Sequence, residues 1–180
     1  TAKLRELENS NGAFITPEYF TACLRKHIDD NAIILSEAIT NYSTVVNHLR
    51  PSRPGKFFLS GGSSLGWHGG GAIGAKLACP DALVIALSGD GSYMFSVPSS
   101  VHWMARRYGT PFLQVIYNNG GWRGPKMSTL AVHPHGHASR VLARIELEVA
   151  QGDPRIGVGR RGLQGPAKEV ARARPVALRA

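Results

Sequence analysis

The run Ala82–Ser88 (ALVIALS) is apolar almost throughout and stops at Gly89-Asp90-Gly91. A strand with one wet face alternates apolar and polar residues, whereas a strand apolar throughout has to be covered on both faces. This run therefore points to a sheet sandwiched between helices. Ala32–Leu35, Lys56–Ser60 and Phe112–Tyr117 read as three further strands. Helical patterns alternate with them. Thr16-Pro17-Glu18 has the form of a helix start, with Thr as N-cap, Pro at the first helical position and an acid in the first turn. Tyr19, Phe20, Cys23, Leu24, His27 and Ile28 then follow at helical spacing. Further helices are expected over 44–49, 72–78 and 98–107, the second of these fed by the glycine-rich stretch Gly61–Gly71. Strands alternating with helices imply an α/β fold, a parallel sheet flanked by helices with right-handed crossovers.

In such a sheet ligands bind beyond the C-terminal strand ends. Two polar motifs fall there. Gly89-Asp90-Gly91-Ser92 follows the third strand, and Asn118-Asn119 follows the fourth, with the 26 residues 92–117 between them. That interval is the length of one helix and one strand, which returns the chain to a neighbouring strand end. A carboxylate flanked by glycines lets backbone approach an anion while Asp90 holds a hard cation. Magnesium takes oxygen ligands, one or two from carboxylates and the rest from phosphates and water. The amides of Gly91 and Ser92 can meet phosphate oxygens as a backbone nest. The Asn119 amide oxygen and the Gly121 carbonyl can complete the metal shell. Asp-Gly and Asn-Gly are ordinary turn dipeptides on their own; the weight lies in both following strands at this interval.

Gly-Asp-Gly, about 25 residues, then Asn-Asn resembles the cofactor segment of thiamine-diphosphate (TPP)-dependent enzymes. The segment GDGSYMFSVPSSVHWMARRYGTPFLQVIYNNGGW carries the resemblance, extended upstream by PEYFTACLRKHIDDNAIILSEAITNY and GGSSLGWHGGGAIGAKLACPDALVIAL, over roughly residues 14–139. It is similar to the C-terminal, diphosphate-binding domain of the acetolactate synthase and benzoylformate decarboxylase group. The resemblance implies that Asp90, Asn119 and the Gly121 carbonyl bind Mg2+, and that Gly89, Gly91 and Ser92 lie against the diphosphate. It places Thr40 and Asn41 on the diphosphate through a loose match, Leu65 as the apolar wedge that bends the cofactor, and the Ser63 carbonyl at its aminopyrimidine. The implied chemistry is cleavage or formation of a carbon–carbon bond beside the carbonyl of a 2-oxoacid substrate. The family's activating glutamate belongs to an N-terminal pyrimidine-binding domain, normally on the partner subunit of a homo-oligomer. Residues 1–31 are not that domain, and Glu37 belongs to the diphosphate-side segment. No catalytic residue is therefore expected on this chain, and Thr1 in place of a methionine reads as a piece of something longer. A non-catalytic fragment or pseudoenzyme that keeps the cofactor segment is the alternative.

Other features compete with this reading. Gly69-Gly70-Gly71-Ala72-Ile73-Gly74 is a literal GxGxxG with Asp90 about 20 residues on, the pattern of a dinucleotide-binding module. It begins nine residues after Ser60 instead of directly after its strand, so close helix–sheet packing is the better reading. His133, His135 and His137 would share one face if extended, as a zinc site needs; a solvated loop or a substrate-facing role are the other readings. Trp122, Arg123 and Lys126 line a substrate entrance or pin the loop. Trp67, Trp103 and His102 read as packing residues.

Charge and composition exclude more than they identify. The net charge of +9 would suit a nucleic-acid surface, but +5 of it lies in 140–180, so no nucleic-acid partner is expected. No apolar run approaches the 18 or so residues of a membrane span. Two cysteines, Cys23 and Cys79, fit a reducing, intracellular compartment, cytoplasmic with mitochondria as an option. The expected organisation is a cofactor-binding domain over 1–139 and an Arg/Gly/Ala/Pro-rich tail over 140–180. For that tail a disordered extension, an aberrant reading frame and a final strand and helix are the three readings.

Overall fold

The computed structural model describes residues 2–9, 14–60 and 64–141. The tail from 142 onward, and with it the three readings above, lies outside the described residues. The chain divides into two compact units, Thr1–Arg123 and Gly124–Ala180.

The first unit is an α/β fold around four parallel strands: β1 (Ile33–Glu37), β2 (Phe57–Leu59), β3 (Val84–Gly89) and β4 (Leu113–Tyr117). Their order across the sheet is β2-β1-β3-β4. The helices are α1 (Ala2–Leu7), α2 (Pro17–Arg25), α3 (Tyr42–Leu49), α4 (Trp67–Ala78), α5 (Asp90–Phe95) and α6 (Pro98–Arg107), with a 3-10 turn over Ile39–Asn41. Each predicted strand forms. So does each predicted helix, and α6 has the expected bounds.

Side-chain alternation along β1 and β3 sorts the core into two layers. Ile34, Ile85 and Leu87 pack on one face with Val45 and Leu49 of α3 and with Phe20, Leu24 and Ile28 of the α2 segment. Ile33, Leu35, Val84 and Ala86 pack on the other with Ala72 of α4. Both faces of β3 are thus covered, as its unbroken apolar sequence requires, and Val84–Leu87 are fully buried.

The α2 start is as its sequence says: the Thr16 hydroxyl accepts from the Tyr19 amide at 3.2 Å. On the same helix the Thr21 hydroxyl gives its single proton to the Pro17 carbonyl at 2.6 Å. The buried Tyr117 hydroxyl, 2.8 Å away, must therefore donate to Thr21, which ties α2 to the end of β4. Burial pushes the Tyr117 phenol above its ordinary pKa.

Three expectations need correction. α4 starts at Trp67, earlier than the glycine-rich sequence suggested, because Gly69 and Gly71 are close-packing positions within the helix. A Cβ at Gly71 would meet the Leu35 side chain of β1 at 2.7 Å, and one at Gly69 would meet Val101 of α6 at 2.8 Å. These contacts account for the GxGxxG pattern, which lies inside a helix and not at a strand-to-helix turn. Trp103, read as packing, is 64% exposed. A short helix, α5, also begins directly at Asp90.

The second unit opens with the rest of α7 (Arg123–Val132), a helix that starts at the last residue of the first unit. His133, His135 and His137 do not lie on an extended segment: the Gly136 amide donates to the His133 carbonyl at 3.1 Å, making a turn. No group of three His, Cys, Asp or Glu residues is placed to hold a metal among the described residues, which removes the zinc reading.

Candidate cofactor site

The strand order places a topological switch between β1 and β3, since β1 crosses outward to β2 and β3 crosses the other way to β4. The C-terminal ends of these strands are level. Glu37 pairs with Ser88, and Gly89 pairs with Tyr117. Asp90 and Asn118 are each the next residue past a paired strand end, so the two motifs leave the sheet side by side.

Contacts then draw in β1, although β3 separates it from β4. The Asn119 amide nitrogen lies 3.4 Å from the Thr40 hydroxyl, a long hydrogen bond that spans the end of β3. The Asn119 amide oxygen accepts from the Gly121 amide at 3.2 Å, and the Asn118 amide oxygen accepts from Gly120 at 2.9 Å. Gly120, at φ +75°, takes the left-handed conformation this tight loop needs. The Gly121 carbonyl accepts from the Arg123 amide at 3.0 Å. Each of these two oxygens has two acceptor positions and uses one within the loop, leaving one for a cation.

Asp90 is the first residue of α5, with Gly89 extended before it (φ −79°, ψ 162°). The amides of the first helical turn have no carbonyl partner inside the helix. The absence of a side chain at Gly91 makes room for Trp122, since a Cβ would lie 3.2 Å from its indole. Trp122 packs in turn on Phe95, with ring centroids 5.0 Å apart. Of the two sequence readings for Trp122, this favours pinning the loop. Ser92 is buried. His102 is exposed, stacking on Phe112 and meeting the Tyr93 hydroxyl at 3.0 Å.

A cleft of about 650 Å3 opens beside these groups. Thr40, Asn41, Asn118, Asn119 and Arg123 line it together with Glu18 of α2. A smaller cleft of about 260 Å3, lined by Arg25, Asp29, Arg50 and Lys56 among others, contains none of the predicted site residues. Of the predicted residues, Thr40, Asn41 and Asn119 line the larger cleft, whereas Gly121 and the Asp90–Ser92 segment beyond β3 are not among its lining residues. Leu65, half-buried, sits in the turn just before α4. Ser63 lies outside the described residues.

The sequence did not single out the pair that holds that turn. Glu37 and His68 are both fully buried. The Glu37 carboxylate accepts from the Gly66 amide at 2.5 Å, the His68 amide at 3.2 Å and His68 Nδ1 at 2.8 Å. The available signal was an acidic residue ending an interior strand of apolar sequence: such a group must find donors. Which donors it finds depends on packing between distant segments.

Fold and site together define a doubly wound α/β domain with polar residues at the C-terminal ends of its parallel strands. Residues 38–144 match the C-terminal TPP-binding domain of thiamine pyrophosphate enzymes, and the chain belongs to that family. Among its relatives is the benzoylformate decarboxylase of Pseudomonas aeruginosa, 30% identical over 90 residues, which are 50% of this chain and 17% of the relative. An acetolactate synthase isozyme 1 large subunit of Escherichia coli is 38% identical over 71 residues, 39% of this chain and 13% of the relative. The solved structure of a thiamine diphosphate-dependent 4-hydroxybenzoylformate decarboxylase from Rhodococcus jostii superposes with a TM-score of 0.64 at 28% identity. It covers 71% of this chain, which spans 24% of that structure. The chain is a TPP-binding domain of the decarboxylase and carboligase superfamily, matching less than a quarter of the length of these relatives.

Proposed function

We propose that this domain binds thiamine diphosphate through Mg2+ at the β1–β3 switch point, as part of a 2-oxoacid decarboxylase or carboligase of the acetolactate synthase type. The observation that carries the reading is that Asn119, past β4, reaches Thr40, past β1, across the end of β3, the strand that Asp90 directly follows. The donor set suits the metal. Asp90 offers a carboxylate, while the Asn119 amide oxygen and the Gly121 carbonyl each retain an acceptor position, and hard oxygen donors of this kind are what magnesium takes. Gly89, Gly91, Ser92, Thr40 and Asn41 border the place of the diphosphate. Leu65 supplies the apolar wedge, and the Ser63 carbonyl the contact to the aminopyrimidine.

When bound, thiamine diphosphate supplies an electron sink for breaking or making a carbon–carbon bond next to a carbonyl. The residues of this chain bind and orient it. The activating glutamate comes from a pyrimidine-binding domain, supplied in a homo-oligomeric, cytoplasmic enzyme. These 180 residues by themselves are expected to bind cofactor and consume no 2-oxoacid.

Calorimetric titration with thiamine diphosphate, with and without magnesium, tests the reading. Binding should require magnesium, and Asp90→Ala or Asn119→Ala should weaken it by about tenfold or more, the scale of losing a metal-site interaction. Metal-independent binding, or affinity indifferent to both substitutions, rejects the assignment.

A further inference from the structure

The turn that carries Leu65 is gripped from two sides. From below, the Glu37 carboxylate at the end of β1 accepts from the Gly66 amide, the His68 amide and His68 Nδ1. With three donors converging on it, this carboxylate caps the start of the 12-residue helix α4, where a negative group is electrostatically favoured. From the other side, Gly66 is at φ +91°, and a Cβ there would lie 2.5 Å from the Phe95 carbonyl oxygen and 2.8 Å from the Ser96 amide nitrogen. The turn therefore rests against the far end of α5, the helix whose first residue is Asp90. One buried acid at the end of β1 thus sets how the Leu65 turn stands relative to the Asp90–Ser92 segment. Neither Glu37 nor His68 shares a hydrogen bond with Asp90, Gly91, Ser92, Asn119 or Gly121 among those the structure gives.

We propose that Glu37 is a positioning residue: with His68 it fixes the Leu65–Gly66 turn against α5, and so sets the apolar wedge that bends thiamine diphosphate without taking part in the grip on diphosphate and magnesium. The inference rests on the cofactor reading above. It assigns separate groups to two parts of one ligand, and so predicts that the two parts can be uncoupled.

The experiment compares two probes on the same 180-residue chain, thiamine diphosphate and inorganic pyrophosphate, each titrated with magnesium by calorimetry. Glu37→Gln keeps the shape but turns an NH2 toward at least one of the three donors. Affinity for thiamine diphosphate should fall by about tenfold, the order of one lost charge-assisted hydrogen bond, and affinity for magnesium pyrophosphate should stay within about twofold. Loss of both affinities in parallel, or of neither, overturns the inference. His68→Leu should give the same selective loss. His68→Asn, whose amide nitrogen can take over the Nδ1 donor role, should recover thiamine diphosphate binding relative to His68→Leu. If Glu37→Gln fails to fold by circular dichroism, the His68 pair decides: equal behaviour of Leu and Asn overturns the inference. A wild-type chain that binds neither probe rejects the cofactor reading itself, and this inference with it. Pyrophosphate binding without thiamine diphosphate binding leaves the metal grip standing and overturns the wedge.

Discussion

At Gly66 the sequence has no freedom, because the φ of +91° disfavours any side chain and the Cβ position is already taken by the Phe95 backbone. Backbone cannot swing aside as a side-chain end can. Gly66→Ala is therefore expected to cost about 2–4 kcal/mol, the left-handed penalty plus overpacking. Gly70 is the contrast. It lies inside α4, is exposed, and a Cβ there would meet nothing within 4 Å. Gly70→Ala should stabilise by about 0.5–1 kcal/mol through helix propensity alone. Urea denaturation of the two variants checks both signs, and a Gly66→Ala protein as stable as wild type would contradict the packing at that turn. Glu37 shows the same logic in polar form: a group with no exit to water is defined by the donors folded around it.

The starts of α2 and α6 are where sequence and structure agree most closely. Among α2–α6, α2 is the helix whose own N-cap side chain closes its start, the Thr16 hydroxyl accepting from the Tyr19 amide, and its removal in Thr16→Ala should lower stability by about 1 kcal/mol. Thermal melts resolve that, and Thr16→Ser should restore most of the loss because the acceptor remains. This start and α6 were legible because Pro at a first turn announces itself locally. β3 was legible because apolar residues on both faces permit few arrangements. α4 and α5 were less so. Glycines inside α4 lower its intrinsic propensity, and the cost is offset by close approach to Leu35 and Val101, which belong to distant segments. α5 is a single short helix written in turn-forming residues, GDGSYMF, and α7 carries Gly-Pro near its start. The same division holds at the site. Asp90 and Asn119 could be placed because each follows a strand. The Asn119–Thr40 bond links residues 79 apart, and the Glu37–His68 contact links residues 31 apart, so neither leaves a local trace.

Across the first unit as a whole, one carboxylate joins the segments of α1, α2 and α3. Glu8, just past α1, accepts from both terminal nitrogens of Arg25 at 3.1 Å, from Arg50 at 2.8 Å and from the buried His48 Nδ1 at 3.0 Å. Arg25, at the end of α2, also donates to the His48 carbonyl of α3. The Arg25 hydrogen bond is the largest influence on Glu8. Partial burial opposes it, while the His48 bond and the charges of Arg25 and Arg50 act with it, and the Glu8 pKa falls from 4.5 to about 2. A carboxyl whose pKa is depressed on folding stabilises the fold above its unfolded value and loses that contribution as pH falls toward the folded value. The Glu8 contribution is therefore complete above about pH 5 and fades between there and about pH 2. Glu8→Gln should lower the melting temperature at pH 7 and show a flatter acid limb, so that the two melting curves approach one another as the pH is lowered. Wild-type and Glu8→Gln melting temperatures that stay a constant distance apart from pH 7 to pH 2 would mean that this carboxylate, despite its four contacts, does not couple the first helix to the rest of the unit through its charge.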